Sequence, residues 1–230
     1  MTKASGKIIV ALDVATKNEA LVLVEQLSPE IRFFKVGLQL FTSAGPEFVR
    51  ELVRSGAKIF LDLKLHDIPN TVSAAVDAAA ELGAEMLTVH LSGGETMVRA
   101  AVEAGKNRVG IIGVTALTSH NQETLRSIGI GDTTENYVLR LTRLGIACRI
   151  RGVVASAREA KRLREEFGET IKIITPGIRP TWSETGDQKR ITTPKEALAS
   201  GADYLVIGRP ITAHSSPLKA VRLILSELQS

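Results

Sequence analysis

Short β-branched runs recur along the chain at intervals of roughly 20 to 30 residues, the length of a strand–helix unit. They predict strands over Lys7 to Asp13, Arg32 to Val36, Lys58 to Leu63, Met86 to His90, Arg108 to Thr115, Gly152 to Val154, Lys172 to Thr175 and Tyr204 to Ile207. Between them, apolar residues return every three or four positions, the spacing of an amphipathic helix. Helices are predicted over Glu19 to Gln26, Pro46 to Ser55, Thr71 to Leu82, Glu95 to Ala104, Glu135 to Leu144, Glu159 to Glu166, Lys195 to Ala199 and Leu218 to Leu228. Gly56, Gly83, Gly105, Gly145, Gly168 and Gly201 follow helical stretches and are expected to act as left-handed stops. Such alternation predicts an α/β fold, a single (β/α)8 TIM barrel. An open doubly wound sheet would use the same pattern. No Gly-x-Gly-x-x-Gly follows the first strand, however, and no Pro/Ser-rich linker divides the chain, so residues 1–230 are expected to form one domain.

Composition narrows this picture. Hydrophobic residues make up 44% and charged residues 23% of the 230, an ordinary globular balance. Aromatics are only 4%, so the core is expected to be aliphatic. The net charge of +4 is spread over dispersed Lys and Arg. That suits a small anionic ligand and lacks the clustered basic footprint of nucleic-acid binding. No apolar leader and no bilayer-length apolar segment is visible, so a cytoplasmic protein without membrane association is expected. The single cysteine, Cys148, excludes an intrachain disulfide and a Cys-rich metal site, and its flanks supply no base.

In either fold class, chemistry gathers at the C-terminal ends of strands. Asp62 and Lys64 end the third strand and, two apart on an extended backbone, share a face, with Leu61, Leu63 and Leu65 opposite. Taken alone, this pair also suits a structural ion pair. Asp13 and Lys35 close the first two strands, and four charges of alternating sign on three consecutive strands make a preorganised electrostatic site. Thr175–Pro176–Gly177–Ile178–Arg179–Pro180 and Ile207–Gly208–Arg209–Pro210 follow the last two strands. Glycine admits a ligand close to the backbone and Arg offers a fork to phosphate oxygens, as in barrel phosphate sites. The polar stretch from Arg179 to Arg190 suits a mobile lid, or a solvated loop. Trp182 within it would cover a ligand or pack the loop. His66 is out of phase with Asp62 and Lys64 and fits packing better than acid/base work. His90, His120 and His214 lack metal-ligand spacing, and no metal is expected.

The segment DLKLHDIPNTV, with ALD before it and PGIRP, GDQKR and VIGRPI after it, resembles the bacterial orotidine 5'-phosphate decarboxylases from Asp13 to Arg209. The resemblance implies a cofactor-free carboxy-lyase that converts orotidine 5'-phosphate to UMP in pyrimidine biosynthesis. It implies a charged array of Lys35, Asp62, Lys64 and Asp67. Asp67, Ile68 and Thr71 would reach the neighbouring site of a homodimer. Asp13 and Lys35 would bind ribose hydroxyls, and Thr118, with Ser119 near it, the pyrimidine. Pro176, Arg179, Gln188, Gly208 and Arg209 would surround the phosphate or close the lid over it. Loss of CO2 leaves an electron pair in the ring plane, so a cation and a proton donor are required, and Lys64 fits both roles. Two rivals share the pattern. One is a Mg2+-dependent sugar-phosphate decarboxylase or aldolase using the Asp-x-Lys-x-x-Asp carboxylates, the other a non-catalytic nucleotide-binding barrel.

Overall fold

Eight parallel strands close into a barrel in chain order, the last pairing with the first. They are β1 (Ile8–Ala11), β2 (Phe33–Gly37), β3 (Lys58–Leu65), β4 (Met86–His90), β5 (Gly110–Val114), β6 (Gly152–Val154), β7 (Lys172–Thr175) and β8 (Tyr204–Ile207). The computed structural model describes residues 4–183 and 192–229. The helices among them are α1 (Lys17–Leu27), α2 (Leu38–Arg54), α3 (Pro69–Glu81), α4 (Gly94–Gly105), α5 (Gln122–Ser127), α6 (Thr134–Ala147), α7 (Ala157–Phe167), α8 (Pro194–Ala199), α9 (Arg209–Thr212) and α10 (Pro217–Glu227). None is long and apolar enough to cross a membrane.

Helix starts follow capping chemistry. Thr16 and Glu19 form a reciprocal capping box at α1, as Thr193 and Glu196 do at α8, and Pro69 and Pro194 open α3 and α8 where no amide partner is needed. The structure departs from the pattern at identifiable places. α2 is broken at Gly45 (φ 73°, ψ 177°), so the segment predicted from Pro46 is preceded by a separate helical stretch from Leu38 that the sequence pattern did not show. Two of the expected glycine stops are corrected. Gly145 lies inside α6, where a Cβ would strike Ile150 Cδ1 at 2.3 Å, so it is a packing glycine. Gly105 ends α4 within the helix, and Lys106 (φ 39°) makes the left-handed turn.

The core has two shells. Ile9, Ala11, Phe33, Phe60, Met86, Ile112, Ile174 and Val206 fill the barrel, and a larger aliphatic layer lies between strands and helices. The core is aliphatic as expected, built mainly from Ile, Leu, Val and Ala, with Phe33, Phe34, Phe48 and Phe60 buried among them. At the N-terminal end of the barrel, Asp203 ties β7 to the helices. It accepts from Lys172, from Arg164 and from the Ile173 amide. Burial alone would raise the Asp203 carboxyl, but these donors together hold it below its ordinary value. Cys148 is buried, and burial pushes its thiol up, away from the reactive thiolate.

Candidate active site

Side chains alternate inward along each strand, so the barrel filling is layered. One step above Ala11, Phe33, Phe60 and Met86 stand Asp13, Lys35, Asp62 and Thr88. The apolar filling therefore ends in a polar layer at the C-terminal mouth. Asp13 Oδ1 lies 2.9 Å from Lys35 Nζ, and Lys35 Nζ lies 3.6 Å from Asp62 Oδ2. Lys64 Nζ donates to both Asp62 oxygens at 2.9 Å. Two carboxylates and two ammoniums thus alternate in one row, each interior charge facing its opposite. Asp62 is the hinge of the row, with its side chain only 14% exposed. Burial alone would raise its carboxyl. The charges of Lys35 and Lys64 and the hydrogen bonds from Lys64 and Thr88 together outweigh that and lower it.

Asp62 and Lys64 meet as expected, but not by simple extended alternation. Lys64 has φ 51°, a left-handed backbone that non-glycine residues rarely adopt. Its amide donates to Thr88 Oγ1 at 2.8 Å, and the same hydroxyl is 3.0 Å from Asp62 Oδ1. Thr88 was not singled out from sequence. The signal for it was present in the two-residue step from Met86, which places it in the layer of Asp62.

Beside this row opens a cavity of about 460 Å³, a size suited to a small-molecule ligand. Its floor is apolar, with Ala11, Phe60, Val114, Val154, Ile174 and Val206. Asp13, Lys35, Asp62 and Lys64 line it from β1 to β3, Thr118 from beyond β5, and Pro176, Gly177, Arg179, Gly208 and Arg209 from the ends of β7 and β8. Gly177 has φ 80°, which a side chain would strain. The Ile178–Thr192 bridge and the Arg179 amide bond to the Thr192 carbonyl (3.0 Å) draw together the two ends of the β7–α8 connection. An apolar floor, a balanced ion row and two arginines, one beyond β7 and one opening α9, can hold a flat ring with an anionic tail and place an ammonium against it.

Other predicted residues fall elsewhere. Asp67, Ile68 and Thr71 are exposed and do not line the cavity of their own chain, since they lie where α3 begins. The Asp67 carboxylate accepts from the Ile68 amide at 2.7 Å and makes no ion pair with Lys64. Gln188, with the Gly186 to Arg190 stretch, lies outside the described residues. Ser119 is exposed and off the cavity lining. The His66 ring packs 5.3 Å from that of His90, which burial and the nearby His66 and Lys64 hold below the ordinary imidazole value. Trp182 stands edge-on to His214 at 5.6 Å. Among the described residues, no group of three or more His, Cys, Asp or Glu is placed to hold a metal ion.

The model of the orotidine 5'-phosphate decarboxylase / HUMPS family matches residues 6–224. The chain belongs to that family. Two relatives named orotidine 5'-phosphate decarboxylase are similar over nearly their whole length. The protein from Sodalis glossinidius (strain morsitans) is 49% identical, spanning 99% of this chain and 92% of the relative. That from Vibrio cholerae serotype O1 (strain ATCC 39541 / Classical Ogawa 395 / O395) is 50% identical, spanning 97% of each. Among solved structures, orotidine 5'-phosphate decarboxylase from Lactobacillus acidophilus superposes with a TM-score of 0.87 at 35% identity, covering 97% of this chain and 99% of that one.

Proposed function

We propose that this family member decarboxylates orotidine 5'-phosphate to UMP in pyrimidine biosynthesis, as one catalytic barrel. The observation that carries the reading is the Lys64 ammonium, held by both oxygens of a nearly buried carboxylate on the wall of an apolar-floored cavity. In the reaction the bond from C6 to the carboxylate carbon breaks, CO2 departs, and the electron pair stays on C6 in the ring plane. The protonated Lys64 faces that developing charge and then delivers a proton from Nζ to C6, to be reprotonated from solvent. Fixed charges cost no reorganisation as the bond breaks, which is where preorganised sites gain most. Lys35, between Asp13 and Asp62, fixes the row and with Asp13 binds the ribose hydroxyls. Thr118 lies toward the pyrimidine.

Pro176, Arg179, Gly208 and Arg209 take the phosphate, together with Gln188. Phosphate binding lies far from the reacting carbon, yet it assists the chemistry when it helps assemble the site. Asp67, Ile68 and Thr71 serve the neighbouring site of a homodimer. The exposure of Ile68 (66%) beside an acidic residue without an ion pair among the described residues supports an intermolecular role. The enzyme works in the cytoplasm and without metal or organic cofactor. Mixing chelator-treated protein with orotidine 5'-phosphate and following the loss of substrate absorbance tests the reading. Steady turnover is expected. No turnover, or turnover restored only by Mg2+, would overturn it.

A further inference from the structure

The strand that carries Lys64 is bulged, and Thr88 fills the bulge. Leu61 pairs with Leu87 and Leu65 with Val89, so four steps along β3 match two along β4. An unbroken ladder from Leu61 and Leu87 would set Asp62 beside Thr88 and Lys64 beside His90. With Leu65 pulled back to Val89, Lys64 comes level with Thr88 instead, two residues deeper in the barrel. The left-handed backbone at Lys64 makes this shift possible. Lys106, Asn107 and Arg149 also have positive φ, but they follow helix ends, where such turns are common. Lys64 adopts it inside a strand.

We infer that the Thr88 hydroxyl is a positioning residue for the decarboxylation step, locking the β3 bulge so that the Lys64 ammonium and the Asp62 carboxylate share one layer. Thr88 is fully buried. Its oxygen accepts from the Lys64 amide, the group freed from the ladder by the bulge. A hydroxyl has one hydrogen to give, and here it points to Asp62 Oδ1, which as a carboxylate can only accept. One hydroxyl therefore fixes the backbone of the cation and the side chain of its counter-ion together. It does not line the cavity, so its removal should slow the chemical step and spare ground-state binding. The inference rests on Lys64 being the acid of the proposed reaction.

The test compares Thr88→Val, Thr88→Ser and Lys64→Ala by kcat, KM and the Kd of UMP. Valine keeps the volume but offers no partner to the Lys64 amide or to Asp62. Its kcat should fall roughly ten- to a hundredfold, the effect of losing a hydrogen bond to a charged group. KM and the UMP Kd should stay within about threefold of the parent, since uniform binding is untouched. Serine should keep at least about a third of the parent kcat, because it restores both hydrogen bonds. A Thr88→Val enzyme with parental kcat, a serine variant as slow as valine, or a loss of UMP binding matching the loss of kcat would overturn the inference. Should Thr88→Val fail to fold, Thr88→Ala stands in, and serine and alanine variants of equal kcat overturn it likewise. Lys64→Ala separates the two ideas. An inactive Lys64→Ala beside a normal Thr88→Val sinks only the role of Thr88, whereas an active Lys64→Ala sinks both.

Discussion

Replacing Lys64 by alanine should abolish turnover while leaving the barrel standing, and the geometry sets both magnitudes. On the stability side, the variant loses one ammonium that meets both Asp62 oxygens at 2.9 Å. A hydrogen bond to a charged group contributes about 1.5–3 kcal/mol. Lys64 is 31% exposed, so water screens part of this. Asp62 keeps Lys35 at 3.6 Å and the Thr88 hydroxyl at 3.0 Å, so its buried charge is not orphaned. The left-handed backbone strains alanine as it does lysine, so that cost cancels. A net loss of about 1–2 kcal/mol follows, or a fall in Tm of roughly 2–8 °C for a chain of this size. On the catalytic side, the proposed reaction draws both the stabilising charge and the proton from this one side chain. Removing a preorganised electrostatic donor costs about 10²–10³ in rate and removing a general acid about 10²–10⁴, so a fall of at least about 10⁴-fold is expected. Substrate absorbance gives kcat, and thermal unfolding by circular dichroism gives Tm. A variant retaining more than about 1% of parental kcat would refute the reasoning. A Tm loss above about 15 °C would show that the lysine holds the fold rather than the transition state.

Arg209→Ala should raise KM for orotidine 5'-phosphate about ten- to a hundredfold, while turnover of the phosphate-free nucleoside changes less than about threefold. Equal losses on both substrates would remove Arg209 from the phosphate site. Gly37→Ala has an extended backbone (φ −95°) that alanine accepts, but its Cβ would lie 3.0 Å from Lys35 Nζ. The ammonium must give way by a few tenths of an ångström and loosen its bridge to Asp13, so kcat/KM should fall severalfold with little change in Tm, and parental kinetics would contradict the role of the bridge. Asp62 is held below its ordinary value of 3.8. Its charge-dependent stabilisation is therefore complete above the unfolded value of about 3.9 and fades as the pH falls through the lower folded value. In urea unfolding, the parent's lead over Asp62→Asn should stay level from about pH 7 to about pH 5 and narrow below about pH 4, and a widening lead would reverse the assigned sign.

The barrel was legible because two periods alternate in the chain, and burial enforces both. All eight strand positions follow from apolar runs that fill the interior or face the helices. Helix edges were less legible around α2, where a helical stretch from Leu38 stands before the one at Pro46 and the non-helical Gly45 separates them. α5 and α9, of six and four residues, are too short to show a helical period. Within the site, Asp13, Lys35 and Asp62 could be read directly, since each sits one inward step above an apolar filler. Thr88 occupies the same step on β4 but reads as an ordinary strand residue, because threonine is both β-branched and polar. Asp67, Ile68 and Thr71 came from resemblance alone, and the fold of one chain leaves them on the outside of α3's first turn.

The bulge at Lys64 is the place where local preference and global function disagree. A left-handed lysine costs roughly 1–2 kcal/mol relative to a regular strand residue, and the shift takes its amide out of the ladder. Nothing in the packing of β3 demands this, since Leu61, Leu63 and Leu65 rest on the outer core on either side of it. The hydrogen bond to Thr88 offsets about 1 kcal/mol, and the contact with Asp62 contributes a similar amount or more. Strain and compensation are thus of the same size, and the fold gains little from the arrangement. What it gains is depth: an ammonium in the layer of Asp62, on the wall of the cavity, rather than one pleat farther out toward solvent. A strained backbone that brings the fold little net stability but sets an ammonium on the cavity wall is what selection for turnover, rather than for folding, would retain.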